Sequence, residues 1–177
     1  MKLSRTVALV GMMGAGKTSA GRRLAARLGV PFRDADHEIE AAAGMSVAEI
    51  FERFGEPYFR DGERKVIARL LEEPPHVLAT GGGAFMDEAT RAAMKHKAFT
   101  IWLKAPLGLL LSRVRKRETR PLLKNGDLQA TMERLLAQRE PVYATADMIL
   151  ESADEPHGAA VERILAVLQK NRLCEDA

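Results

Sequence analysis

Gly11-Met12-Met13-Gly14-Ala15-Gly16-Lys17-Thr18 has the spacing of a glycine, four residues, and then Gly-Lys-Thr. Such a loop turns backbone N–H groups and a helix N-terminus toward an anion, and it suits the phosphates of a nucleoside triphosphate. Lys17 would reach the β- and γ-phosphates, and the Thr18 hydroxyl would coordinate Mg²⁺. The plainer alternative is a glycine turn before an ordinary helix.

Further along the chain, four groups of residues have acceptor-side chemistry. Asp34 and Asp36 stand two apart at the end of an apolar run, so in extended chain their carboxylates project to one side. One could act on Mg²⁺ through water while the other takes a proton from an attacking hydroxyl; alternatively, Asp36 caps a helix. Gly81-Gly82-Gly83 follow Val77-Leu78-Ala79-Thr80, either as a plain turn or as backbone against which a ligand presses. Arg60 and Glu63 are helical neighbours, which fits a surface ion pair or an arginine held for a bidentate grip on a carboxylate or phosphate. Arg139, just before Pro141, is open to the same two readings. Between residues 113 and 124, Arg113, Arg115, Lys116, Arg117, Arg120 and Lys124 face a single acid, Glu118, as in a solvated loop or helix end, though the motifs around it set it apart.

These groups need a scaffold that brings strand ends together, and the pattern of the chain supplies one. Short apolar runs at Thr6–Val10, Phe32–Asp34, His76–Ala79, Ala98–Lys104 and Met148–Leu150 read as strands. Helical patterns lie between them, beginning with Lys17–Leu28, whose Ala20, Leu24 and Leu28 share a face. Residues 36–72 carry only helical signals, with Ser46 and Glu49 spaced as a capping box. Val161, Ile164, Leu165 and Leu168 give the closing helix its stripe. The alternation predicts an α/β protein: three layers, α/β/α, around a central five-stranded parallel sheet. Ligands in such sheets collect beyond the carboxyl ends of the strands.

The chain has 177 residues, which fits a single domain over 1–177. Its 46% hydrophobic and 29% charged residues support a packed core rather than disorder. A net charge of +3 is too mild to imply nucleic acid, and 5% aromatic residues argue against base-stacking platforms. The lone Cys174 makes no internal disulfide, and no apolar run approaches membrane-spanning length, so no membrane association is expected. The basic Lys2 and Arg5 before an apolar stretch imitate a signal peptide, but that stretch runs into Lys17. A cytoplasmic monomer is expected, and Lys170–Ala177 reads as a polar tail.

In order along the chain, GMMGAGKT at 11–18, FRDAD at 32–36, FRDGE at 59–63, TGGG at 80–83, RPLL at 120–123 and REPVY at 139–143 resemble the shikimate kinases, in the nucleoside monophosphate kinase-like branch of P-loop proteins. The resemblance covers residues 5–150. It implies ATP-dependent phosphorylation of the 3-hydroxyl of shikimate, with ATP and Mg²⁺ required and no nucleic-acid partner. It further implies that Gly14, Ala15, Gly16, Lys17, Thr18 and Ser19 hold the ATP phosphates, and that Thr18 and, through water, Asp34 hold the metal. Asp36, Arg60, Gly82 and Arg139 would bind shikimate, with Gly81 and Gly83 beside them. Lys17, Asp36 and Arg120 would carry catalysis, Arg120 closing over the phosphates and Arg113 flanking the adenine. Residues 36–63 would form a substrate-binding flap and 113–127 a lid. The stretch ESADEP at 151–156, where an adenine loop falls by resemblance, is too nondescript to assign contacts. A gluconate kinase would share only the phosphate loop, and a nucleotide-binding regulator of nucleic acid would leave the other motifs unexplained.

Overall fold

Thr6–Val10 is fully buried along its length, with Val7, Ala8, Leu9 and Val10 all at 0% exposure. A strand apolar on both faces belongs in the middle of a parallel sheet covered on both sides. The computed structural model, which describes residues 2–116, 127–152 and 157–175, puts it there. After β1 (Lys2–Leu3), the strands β2 (Thr6–Val10), β3 (Phe32–Asp34), β4 (Val77–Ala79), β5 (Ala98–Lys104) and β6 (Met148–Glu151) form one parallel sheet in the order β3-β4-β2-β5-β6. Val7 pairs with Val77 and Phe99, and Asp34 with Ala79. The carboxyl ends of β2, β3 and β4 therefore stand side by side.

Helices cover both faces, giving the expected α/β/α layers around one continuous apolar core. α1 (Lys17–Leu28) lies on β4 and against the last helix, Leu24 and Leu28 being fully buried. It ends at Gly29, whose left-handed backbone lets its N–H reach Ala25 O and Ala26 O. α2 (Ala35–Ala43) and α3 (Val47–Leu70) follow β3 and pack on each other. The Ser46–Glu49 capping box is present in both directions, with Ser46 N–H donating to Glu49 Oε2 at 2.8 Å.

The 36–72 region is not one even helical run. α3 breaks at Gly55, where φ is 79° and ψ 175°, and Pro57 stands in the first turn after the break. Proline is at home there because first-turn N–H groups have no helical acceptor. The new direction buries Phe59, Glu63, Val66, Ile67 and Leu70, which carries Arg60 and Glu63 inward. Beyond β4, a 3₁₀ turn (Ala84–Met86) leads into α4 (Glu88–Lys97), and α5 (Leu107–Arg115), α6 (Leu128–Tyr143) and α7 (His157–Lys170) complete the helices.

The C-terminal segment needs correction. Cys174–Glu175 forms β7, antiparallel to β1, with Leu3 opposite Cys174. Leu3 and Cys174 are both buried, and Ser4 N–H donates to Leu173 O at 2.9 Å. Leu3 and Cys174 thus join the apolar core, and this segment is not simply a polar tail. Among the described residues, no helix is long and apolar enough to cross a membrane.

Candidate active site

The phosphate loop joins β2 to α1. Gly16 sits at the helix N-cap with φ 90°, a conformation an L side chain rarely adopts, and no side chain caps the helix. The leading amides of an α-helix have no intrahelical acceptor, so the strand-to-helix turn has the form of an anion cradle. Lys17 is buried and folds back over the loop, Nζ donating to Gly11 O at 2.7 Å and Met12 O at 2.9 Å. From α5, Arg113 Nη1 donates to Gly14 O at 3.2 Å and Ala15 O at 3.4 Å. The arginine expected beside the adenine thus grips the loop backbone itself. Arg120, most of the 113–127 segment and residues 153–156 lie outside the described residues.

Thr18 and Asp34 meet across the loop, Thr18 Oγ1 donating to Asp34 Oδ2 at 2.8 Å. Among the described residues no cluster of three or more His, Cys, Asp or Glu could hold a metal. One hydroxyl and one carboxylate at the phosphate loop fit Mg²⁺, which keeps several waters and takes its remaining ligands from phosphates. Asp34 also caps α2, its carboxylate accepting from Asp36 N–H at 3.1 Å. The cap that Asp36 could have supplied is therefore supplied by Asp34.

The three glycines are explained by what lies against them. A Cβ on Gly81 would stand 2.8 Å from Glu63 Oε2 and 3.1 Å from Asp36 Oδ1. One on Gly82 would stand 3.2 Å from Arg139 Nη1, and one on Gly83 would stand 2.6 Å from both Nη atoms of Arg60. The turn is neither loose nor bare. The protein's own charged side chains occupy the space a ligand was expected to press into, and missing β-carbons let two carboxylates and two guanidiniums converge on one stretch of backbone. Gly82 also approaches the phosphate loop, its Cβ position being 3.4 Å from Met13 N.

Within this group Arg60 Nη1 donates to Glu63 Oε1 at 2.8 Å, and Glu63 is only 3% exposed, so the pair is not a surface ion pair. Glu63 Oε2 is buried with no hydrogen-bond partner among the described residues. Burial works against both charges. Arg60 keeps its charge because Glu63 and Glu56 both hold it. The Glu63 carboxyl is pushed up, because burial, with the Asp36 charge added, outweighs the pull of Arg60 and Arg139.

Arg139 comes from the last turn of α6 and is 8% exposed, its Nη1 lying 4.0 Å from Met12 Sδ of the phosphate loop. One turn later Tyr143 is fully buried and its hydroxyl donates to Gly82 O. Burial pushes that hydroxyl up to about 12 against the pull of Arg139. Arg60, Gly83 and Arg139 line a cavity of about 520 Å³ together with Glu56, Arg134 and Gln138. Sequence reasoning missed Tyr143 and Met12 as members of this site. The i, i+4 spacing of Arg139 and Tyr143 was the available signal for the tyrosine.

The chain is similar to known proteins along nearly its whole length. The family model described as shikimate kinase matches residues 13–169. A shikimate kinase of Caulobacter vibrioides is 56% identical over 167 residues, covering 94% of this chain and 84% of the relative. One of Bradyrhizobium diazoefficiens is 56% identical over 174 residues, covering 98% and 84%. Among solved structures, a shikimate kinase from Acinetobacter baumannii in complex with shikimate superposes with a TM-score of 0.92 at 37% identity, covering 96% of each chain. A gluconokinase from Sinorhizobium meliloti shares only the fold, with a TM-score of 0.63 and 16% identity over 97% of this chain and 95% of its own. The family match takes in the glycine loop, both arginines and most of the phosphate loop, and the identity runs nearly end to end: this chain belongs to the shikimate kinase family.

Proposed function

We infer that this chain transfers the γ-phosphoryl group of ATP to the 3-hydroxyl of shikimate, giving shikimate 3-phosphate and ADP, a step toward chorismate and the aromatic amino acids. The observation that carries the inference is the convergence of Asp36, Arg60 and Arg139 on the Gly81–Gly83 backbone, directly against the phosphate loop. Two guanidiniums on one wall fit a substrate carboxylate, and an adjacent aspartate fits the hydroxyl that must lose a proton.

Phosphoryl transfer is catalysed mainly by positioning and by stabilising charge on the transferred group. Gly14, Ala15, Gly16, Lys17, Thr18 and Ser19 hold the phosphates. Lys17 and Arg120 surround the transferred group, and Arg113 steadies the loop carbonyls. Asp36 aligns the 3-hydroxyl and accepts its proton as the oxygen bonds to phosphorus and the bond to ADP breaks. Thr18 and Asp34, the latter through water, hold Mg²⁺, which when bound neutralises phosphate charge. Arg60, Gly81, Gly82, Gly83 and Arg139 seat the substrate. Residues 36–63 serve as the flap and 113–127 as the lid whose closure excludes water. The enzyme works as a cytoplasmic monomer.

The test is ADP release with Mg²⁺ and ATP, with and without shikimate, coupled to mass detection of product. Shikimate-dependent ADP matched by shikimate 3-phosphate is expected. ADP release indifferent to shikimate would overturn the reading. Arg139→Ala is expected to raise the KM for shikimate by at least about tenfold, the scale of a lost charge-assisted hydrogen bond. An unchanged KM would remove Arg139 from the substrate site.

A further inference from the structure

Tyr143 fills its place so completely that phenylalanine would serve if packing were its only task. Its ring lies 5.7 Å from that of Trp102 and is closed off from solvent. A tyrosine buried to this degree needs a partner for its hydroxyl, and here the partner is chosen with consequence. The O–H donates to Gly82 O, in a loop 61 residues away in sequence. The Arg139 guanidinium, one turn earlier on α6, lies against the same glycine, its Nη1 3.2 Å from where a Cβ on Gly82 would stand.

Gly82 depends on that bond. On either side of it the loop carbonyls are satisfied by the 3₁₀ turn, Gly81 O by Ala84 N–H at 3.2 Å and Gly83 O by Met86 N–H at 3.1 Å. The carbonyl between them turns the other way, to Tyr143. Because a peptide unit is planar, fixing Gly82 C=O also fixes the direction of Gly83 N–H, which in a trans peptide points opposite to the carbonyl. Gly83 lines the cavity that Arg60 and Arg139 also line.

We propose that Tyr143 is a positioning residue for the phosphoryl acceptor: its hydroxyl ties the Gly82–Gly83 peptide to α6, the helix that carries Arg139, so that backbone and guanidinium meet the substrate in one preset arrangement. The inference rests on the proposed substrate roles of Gly82 and Arg139. Preorganisation of this kind raises affinity by removing an ordering cost at the moment of binding.

Tyr143→Phe keeps the ring and removes only the oxygen. Its KM for shikimate is expected to rise about tenfold, with kcat and the KM for ATP changed by less than about threefold. In an Arg139→Ala background the same substitution is expected to add less than about twofold, since the two groups act as one unit. A Tyr143→Phe enzyme whose KM for shikimate stays within about twofold of the parent, with only a lowered melting temperature, would overturn the positioning role while leaving the substrate reading intact. If Arg139→Ala itself leaves that KM unchanged, the substrate reading falls and this role with it. A second measurement needs no variant at position 143: ¹⁹F NMR of the protein labelled with 3-fluorotyrosine, which has two tyrosines, with Tyr58→Phe used for assignment. The Tyr143 resonance is expected to move on adding shikimate without nucleotide, and a resonance that stays in place would overturn the proposal.

Discussion

Replacing Asp36 with Asn is expected to cut kcat for shikimate phosphorylation by about 10²- to 10⁴-fold, the range of a lost general base, while the protein stays folded. The amide has the same shape but cannot take the proton of the attacking hydroxyl. Capping of α2 survives, because that task falls to the Asp34 carboxylate. One local influence, that of Asp36 on Glu63, favours the substitution. The Asp36 charge is one of the influences that hold the buried Glu63 carboxyl above its ordinary value. A carboxyl whose folded value is raised destabilises the fold as pH climbs from its unfolded value through its folded one. Removing the Asp36 charge lessens that loss. The part of the melting-temperature change that comes through Glu63 is therefore expected to be upward at pH 8 and to vanish below the ordinary glutamate value of 4.5. Steady-state kinetics and thermal melts at pH 4 and pH 8 check both parts. Near-normal turnover would strip Asp36 of its role, and a melting temperature lowered at pH 8 would mean that it holds the structure together.

The framework of the fold was legible because periodicity and end signals agree. The apolar run at Thr6–Val10, the glycine turn after it and the Lys17–Leu28 stripe each mark a boundary that the structure keeps. Strand order was not legible: nothing in Val77–Ala79 says that it lies between β2 and β3, since that depends on how α1 and α3 pack. The β1–β7 pair was missed because two-residue strands carry no period, and burial of Leu3 and Cys174 is decided by each other's presence. The break at Gly55 was written in the Gly-Glu-Pro stretch, yet a capping box upstream and helical spacing on both sides masked it. At the site, the motifs pointed to charged residues that the structure brings together, but not to how they meet. Triple glycine suggested either a turn or a ligand surface; its physical cause is crowding by Glu63, Asp36, Arg139 and Arg60, which come from three separate elements. A side chain such as Tyr143, which makes one hydrogen bond to a distant carbonyl, leaves only its helical spacing from Arg139 in the local pattern.

Lys17→Met is expected to lower kcat by about 10²- to 10³-fold, as does loss of one preset donor to a developing anion. Lys17 is only 7% exposed and its ammonium donates to two carbonyls of its own loop, Gly11 O and Met12 O. A buried cation surrounded by peptide dipoles is poised for an anion, because in this low-dielectric pocket a phosphate charge attracts it far more strongly than water would allow. Methionine matches the length of the stem and removes the charge, so the loop keeps its filling while the cation proposed to meet the transferred group is lost. The informative control is Lys17→Arg. If net charge alone mattered, arginine would restore activity. The pocket holds a compact ammonium between carbonyls 2.7 and 2.9 Å away, whereas guanidinium is a wide planar fork that cannot enter the same space. Arginine is therefore expected to leave kcat depressed by at least about tenfold with the melting temperature nearly unchanged. Full rescue by arginine would show that position 17 supplies only charge, and that the placement of Nζ over the loop carbonyls has no part in the transfer.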